Sequence, residues 1–169
     1  YLTAKSIASL IGTSTFKNNI AGANGGTFYL TNTTTVQMLD SATAIIEGNT
    51  ADYGGVAYLK TESTLTLKNA SLIGNSARNG GAIYTTSSTV NLDGITAKEN
   101  TATGLGAFVS ATLSTVNLSS KSSASSISKN TAGSHGGAIY SLGSAINLVG
   151  TSENALVFDS NLASKQGGA

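Results

Sequence analysis

The chain contains no cysteine and no proline, and only 10% of its 169 residues are charged. Without cysteine, neither a disulfide framework nor a thiolate metal site can form. The formal net charge of +1 is scattered along the chain, so there is no basic stripe for nucleic acid and no block of like charge for a membrane surface. No window of about 18 apolar residues occurs, so no helix is predicted to span a bilayer. The sequence therefore predicts no nucleic-acid partner and no direct membrane insertion by this segment.

Glycine, serine, threonine, alanine and asparagine are abundant instead, which is typical of many short strands joined by tight turns. Apolar residues make up 40% of the chain, enough to build a core. The length suits a single domain over residues 1–169.

An internal repeat organises the chain. Gly-Gly-Ala-Ile-Tyr occurs at residues 80–84 and again at 136–140, each time after an Asn-x-Ala turn. Alignment on this pattern gives six copies, whose asparagines are Asn19, Asn49, Asn75, Asn100, Asn130 and Asn161. They are 30, 26, 25, 30 and 31 residues apart, a period that predicts a solenoid. The predicted units are 1–24, 25–53, 54–79, 80–104, 105–135 and 136–166, with 167–169 beginning another, as in a segment of a longer array.

Each unit contains three short apolar runs separated by polar or glycine-rich breaks. The run in the middle of each unit alternates strictly, as in Val90-Asn91-Leu92, which indicates a strand with one buried face. The run before the turn asparagine predicts a single interior column formed by Phe16, Ile46, Leu72, Ala97, Ile127 and Phe158. The pattern predicts an all-β parallel β-helix of about five to six coils, with three short strands per coil.

The repeated residues have architectural explanations. Glycine permits a positive φ and close backbone approach where a turn enters a strand. Asparagine tolerates the left-handed region, and stacked asparagines can hydrogen-bond along the axis. The fourth copy has Leu105 before Gly106 in place of the glycine pair and is expected to be less regular. The motif residues assigned to turns and core are Phe16, Asn19, Gly25, Gly26, Asn49, Gly54, Gly55, Asn75, Gly80, Gly81, Ala82, Ile83, Asn100, Asn130, Gly136, Gly137, Ala138, Ile139, Phe158 and Asn161.

Two tetrapeptides carry a family resemblance. Phe-x-x-Asn at 16–19 and 158–161, and Gly-Gly-Ala-Ile at 80–83 and 136–139, resemble the repeat of the chlamydial polymorphic outer-membrane proteins, over about residues 14–169. This resemblance implies a right-handed β-helical passenger of an autotransporter, displayed on the cell surface or secreted. It also implies a role in adhesion, self-association and virulence. Members of that family usually carry cysteines, and this chain has none.

A column of tyrosines is the candidate contact surface. If Phe28, Ala57, Ile83, Phe108 and Ile139 point inward, alternation sends Tyr29, Tyr58, Tyr84, Val109 and Tyr140 outward. An exposed row of tyrosines suits an interface. It equally suits a cross-strand ladder that only stabilises the sheet, and the outward row Asn91, Asn117 and Asn147 has the same two interpretations.

Catalysis is the weakest hypothesis. Many parallel β-helices process polysaccharides, which requires paired carboxylates or a base assisted by a cation. The eight carboxylates fall at different positions of different coils, and His135 stands alone in a corner. We therefore predict no catalytic residues, no metal ligands and no cofactor.

The leading hypothesis is a surface-displayed adhesin segment, located at the outer membrane or secreted. Its partner would be a receptor, protein or glycan, on a host or neighbouring cell, or a second copy of itself. The alternative is a structural stalk or fibre subunit that stacks head to tail through its exposed coil ends. A polysaccharide-processing enzyme is a remote third hypothesis.

Overall fold

The computed structural model describes residues 1–39 and 41–169. In this part of the chain, the strands form four parallel sheets wound into a β-solenoid of about five turns. Within each sheet, every inner strand pairs with its counterparts one coil earlier and one coil later. No helix long and apolar enough to cross a bilayer is present in the described ranges.

The first three sheets correspond to the three predicted runs. Sheet A, which follows the glycine pairs, consists of Phe28–Leu30, Ala57–Leu59, Ile83–Thr86, Val109–Thr112 and Ile139–Leu142. Sheet B consists of Ile7–Leu10, Thr35–Met38, Thr64–Lys68, Thr89–Asp93, Thr115–Ser119 and Ala145–Val149. Sheet C consists of Thr13–Lys17, Thr43–Glu47, Ala70–Ile73, Thr96–Lys98, Ser125–Ser128 and Leu156–Asp159. The all-β solenoid prediction is confirmed, while its right-handed winding stays a prediction.

A fourth ladder, sheet D, lies where the sequence predicted only a turn. It consists of Ser76–Ala77, Thr101–Ala102, Thr131–Ala132 and Leu162–Ala163. The alanine of each Asn-x-Ala turn is the inward residue, and Ala77, Ala102 and Ala132 are almost wholly buried. Only a small side chain fits beneath so short a strand, which explains the alanine at this position in every copy.

The core runs along the axis between the sheets. The inward residues of sheet B are buried as alternation predicts, with Leu65, Leu67, Val90 and Val116 fully covered. The predicted interior column of sheet C is also present, because Phe16, Ile46, Leu72, Ala97, Ile127 and Phe158 pair in register. Leu148 has the same inward position in the last coil yet is 50% exposed, because no later coil covers it.

Candidate functional site

The first glycine of each pair is fixed by backbone geometry. Gly80 has a φ of +61°, and a Cβ at this position would lie 2.6 Å from the carbonyl carbon of Ile83 and closer still to its oxygen. Gly54 and Gly136 make the same close approach to the carbonyl three residues ahead. A side chain is therefore excluded by strain and by collision, so these glycines belong to the scaffold.

The register of the fourth copy corrects the sequence alignment. Sheet A pairs Ile83 with Val109, so Gly106 occupies the first-glycine position and Ala107 the second. Gly106 has the required positive φ of +58°. The prediction that Leu105 replaces the first glycine is wrong by one residue. The expected irregularity of this copy is also wrong, because its strands pair fully with both neighbours.

The same shift changes the outward column of sheet A. Val109, predicted to point outward, is fully buried and pairs with Ile83 and Ile139. Ser110 takes the place between Tyr84 and Tyr140. Phe108, predicted to point inward, is fully buried, although its neighbours in register are Ala82 and Ala138 rather than the isoleucines.

The turn asparagines form an internal ladder. The amide oxygen of Asn100 accepts hydrogen bonds from the backbone N–H and the amide nitrogen of Asn75, both at 3.0 Å. The amide nitrogen of Asn100 donates to Leu72 O and to Asn130 Oδ1, each at 2.9 Å. Equivalent bonds run from Asn19 to Asn161. The expected hydrogen bonding along the axis is present, and the four central asparagines are fully buried, out of reach of any partner.

A second polar ladder, missed at the sequence level, lies at the turn between sheets A and B. The hydroxyl oxygen of Ser88 accepts from the backbone N–H of Ser63 at 3.1 Å, and that of Ser114 accepts from the N–H of Ser88 at 3.3 Å. Thr34 and Ser144 extend the ladder at its two ends. A signal was available, since a serine or threonine stands immediately before the first residue of sheet B strands, as in Ser63-Thr64, Ser88-Thr89 and Ser114-Thr115.

The tyrosine column is a continuous stack over three coils. The rings of Tyr29 and Tyr58 are 5.2 Å apart at 14°, and those of Tyr58 and Tyr84 are 5.4 Å apart at 7°. Tyr1 stacks on Tyr29 at 5.0 Å. All but Tyr1 are half-buried. We call Tyr1, Tyr29, Tyr58, Tyr84 and the adjoining Tyr53 the tyrosine face.

The tyrosine face ends at Ser110. Tyr140 lies beyond this serine in the same outward column, two coils after Tyr84. The structure therefore brings together Tyr29, Tyr58 and Tyr84 of the predicted contact residues and separates Tyr140 from them. Whether any of them touches a partner stays a prediction.

Charged side chains flank the tyrosine face on both sides. The guanidinium of Arg78 lies 4.5 Å from the ring centre of Tyr53 and pairs with Asp52 at 3.3 Å. On the other side, the ammonium of Lys60 lies 5.8 Å from the ring centre of Tyr29. A hydrogen bond to Tyr29 and the charges of nearby tyrosines raise the pKa of Lys60. Burial raises the pKa of Tyr58, with Lys60 acting in the opposite direction.

The outward row of sheet B is joined along the axis rather than free. Asn147 donates to Asn117 at 2.7 Å, Asn117 donates to Asn91 at 2.8 Å, and Asn91 donates to Thr66 at 3.3 Å. These amides satisfy one another, which agrees with the structural interpretation of this row.

The carboxylates are dispersed among ion pairs and turns. Asp93 is held by hydrogen bonds from Ser119 Oγ and from the backbone of Lys121 and Ser122. Partial burial acts to raise the pKa of Asp93, but these bonds outweigh it and lower the pKa below its usual value. Asp40 lies outside the described residues. In the described ranges, no three histidine or carboxylate side chains come close enough together to hold a metal ion.

Comparison with known proteins gives one family. Residues 69–86 and 124–142 match the Chlamydia polymorphic membrane protein repeat. Each matched stretch contains one turn asparagine and one Gly-Gly-Ala-Ile-Tyr segment. No curated protein and no solved structure matches the chain. The resemblance seen in the tetrapeptides is therefore confirmed in these two repeats, and the matched family is not an enzyme family.

Proposed function

We propose that this chain, which carries repeats of the Chlamydia polymorphic membrane protein family, is an adhesive segment of a surface-displayed, autotransporter-like passenger. The β-solenoid and the matched repeats support a passenger-like segment. The membrane-protein family to which the matched repeats belong supports a location at the outer membrane or cell surface. Adhesion itself rests on the tyrosine face.

The tyrosine face is the observation that carries this proposal. Elsewhere on the outward side of the central coils, short polar residues predominate, and many are hydrogen-bonded to one another. Here five aromatic rings form one strip between Arg78 and Lys60. Tyrosine and arginine are the residues that interfaces use most for binding energy, because they combine a large apolar surface with a polar tip. The buried ladders, in contrast, cannot reach a partner.

Cell binding tests the proposal. We expect fluorescently labelled chain to bind cultured epithelial cells, and the Tyr29→Ala, Tyr58→Ala, Tyr84→Ala triple variant to lose at least ten-fold in bound signal by flow cytometry. Tyr140→Ala serves as the matched control, because it removes the same side chain from outside the tyrosine face and should bind as the parent does.

Stacking between the rings is worth about 0.5–1.5 kcal/mol per pair, so the triple variant must also be shown to be folded. Circular dichroism below its melting temperature provides this check. The Tyr29→Phe, Tyr58→Phe, Tyr84→Phe variant keeps the stack and removes only the hydroxyls. Undiminished binding by the folded alanine variant would refute the assignment.

A structural stalk is the second candidate, and the coil ends favour it. Inward apolar residues of the two end coils, among them Leu10 and Phe16 at one end and Ile146 and Phe158 at the other, are only partly buried. An open cavity of about 330 Å³ at that second end is lined by Ile139, Ile146, Leu148 and Phe158 among others. These surfaces suit a further coil or a second copy. Sedimentation over a wide concentration range tests whether a second copy binds at these ends, since a strictly monomeric chain would exclude self-stacking.

A further inference from the structure

One part of the tyrosine face is a cleft rather than a strip. Asn24, Tyr53, Tyr58 and Tyr84 line an open cleft of about 380 Å³ between the turns and sheet A. This volume lies within the range of about 300–1,000 Å³ that small-molecule sites occupy. The cleft therefore has room for a compact ligand, such as one sugar ring.

Two walls of the cleft are aromatic. The ring of Tyr53 is inclined at 70° to that of Tyr58 and at 66° to that of Tyr84, with centroids 6.4 Å and 5.1 Å apart. The tyrosine stack thus forms one wall, and Tyr53 forms a second wall at a steep angle to it. Arg78 packs on the ring of Tyr53 and is itself held by Asp52, which fixes the second wall in place.

The solenoid does not require an aromatic residue at position 53. Tyr53 is the residue just before the first glycine of its repeat, and the equivalent residues are Asn24, Asn79, Leu105, His135 and Gln166. Five other side chains therefore occupy this position in other coils without disturbing the fold. The repeated architecture of the coil therefore does not require a tyrosine here, whereas a ligand in the cleft would account for it.

The polar groups of the cleft are unused within the described chain. The hydroxyls of Tyr53, Tyr58 and Tyr84 and the amide of Asn24 make no side-chain hydrogen bond to another described residue, although the ladder asparagines are fully bonded. Each of these groups can both donate and accept. The cleft thus combines aromatic walls with four free groups that suit a ligand's hydroxyls.

We propose that this cleft binds a neutral pyranose unit of a cell-surface glycan, an inference that rests on the proposed adhesive function. The C–H bonds on one face of a pyranose are weakly positive and pack on the negative face of an aromatic ring. Tyr53 supplies this face, on the side opposite Arg78, because Tyr29 and Tyr84 cover the two faces of Tyr58. Its hydroxyls then bond to Asn24 and to the tyrosine hydroxyls. Arg78 is paired with Asp52, and neither Arg78 nor Lys60 lines the cleft, so its lining carries no charge that would favour an acidic sugar.

Saturation-transfer difference NMR tests the ligand class directly. The probes are the methyl glycosides of glucose, galactose, mannose and N-acetylglucosamine, with methyl sialoside as the acidic arm. We expect saturation transfer to at least one neutral glycoside, weakened at least ten-fold by Tyr53→Ala and several-fold by Asn24→Ala. Tyr140→Ala, which lies outside the cleft, should bind like the parent.

Three results would overturn the inference: no transfer to any neutral glycoside, transfer to the sialoside alone, or transfer that survives Tyr53→Ala in a folded protein. Cell binding separates this failure from failure of the proposed function. In one outcome, cells bind the parent chain, do not bind the alanine variant of the tyrosine face, and bind the parent equally well after their glycans are removed enzymatically. Adhesion is then supported, and the partner is a protein surface rather than a glycan. If cells do not bind the chain, adhesion fails even where a glycoside binds.

Discussion

The asparagine ladder and the tyrosine column both repeat once per coil, yet only one of them is unbroken. Asparagine occupies its position in all six copies, and its central members are fully buried and bonded to both neighbours. The tyrosine column is half-exposed and interrupted by Ser110. An inward polar position that bonds to both adjacent coils cannot change alone, whereas an outward position can. Regular recurrence thus marks the scaffold, and departures from it mark the surface available to function.

Removing one central asparagine of the asparagine ladder should have the largest effect on stability. Asn100→Ala leaves the backbone N–H and the amide of Asn75 without their acceptor, and the carbonyl of Leu72 without this donor. Each buried group left unbonded costs about 1–3 kcal/mol, so three such groups predict a loss of at least about 3 kcal/mol. Urea denaturation followed by circular dichroism measures it.

The matched control is Asn19→Ala at the exposed end of the same ladder. The Asn19 side chain donates to Asn49 alone, so its loss should cost no more than about 1.5 kcal/mol. Equal losses for Asn100→Ala and Asn19→Ala would show that the stability does not come from burial of the ladder.

Two glycines with the same backbone conformation separate strain from collision. Gly80 and Gly74 have φ values of +61° and +60°, but a Cβ at Gly74 meets open space while one at Gly80 meets the carbonyl group of Ile83. Gly74→Ala should cost about 1–2 kcal/mol, the ordinary left-handed penalty. Gly80→Ala should cost about 1–3 kcal/mol more, because the carbonyl must also move. Thermal and urea unfolding of both variants measure the difference in the free energy of unfolding. Similar losses for the two variants would mean that the backbone at the start of the sheet A strand moves aside at little cost.

A second column of positive-φ residues, most of which are not glycine, supports this distinction between backbone strain and steric collision. The residue before each ladder asparagine has a positive φ in every coil, at Asn18, Gly48, Gly74, Glu99, Lys129 and Ser160. Four of the six are not glycine, so the left-handed conformation alone does not demand one here. The first-glycine position is glycine in all six copies, and at five of them, Gly25, Gly54, Gly80, Gly106 and Gly136, the carbonyl three residues ahead leaves no space for a Cβ.

The sequence predicted the period, the three main strands and the interior column, since these depend on apolar spacing within one copy. It did not predict sheet D or the serine ladder. Both depend on hydrogen bonds between residues about 25–30 positions apart, and these leave only a small polar or alanine residue as a trace. The register error at Leu105 has a similar origin. The pattern of a glycine pair assigns Leu105 and Gly106 to these positions, although only the first-glycine position has a positive φ, which Gly106 adopts.

The candidate site was only partly predictable. Alternation predicted outward tyrosines, and three of the four predicted side chains stack together. Tyr53 was missed because it lies in a turn outside any alternating run. Its contact with Arg78 and with the stack depends on the side-by-side placement of two coils, which no single copy encodes.

The smallest expected effect is a pH dependence of the tyrosine face. Burial raises the folded-state pKa of Tyr58, so its neutral form is favoured by folding. The resulting stabilisation is complete below the unfolded pKa of about 10 and is lost as the pH rises through the folded-state value. The melting temperature should therefore fall between about pH 9 and pH 11, and fall less in Tyr58→Phe, which has no proton to lose. Tyr140→Phe removes a phenol from outside the stack and should follow the parent. If Tyr58→Phe declines as steeply as the parent, the half-buried stack does not couple ionisation to folding, and the tyrosine face is as independent of the scaffold as a pure contact surface would be.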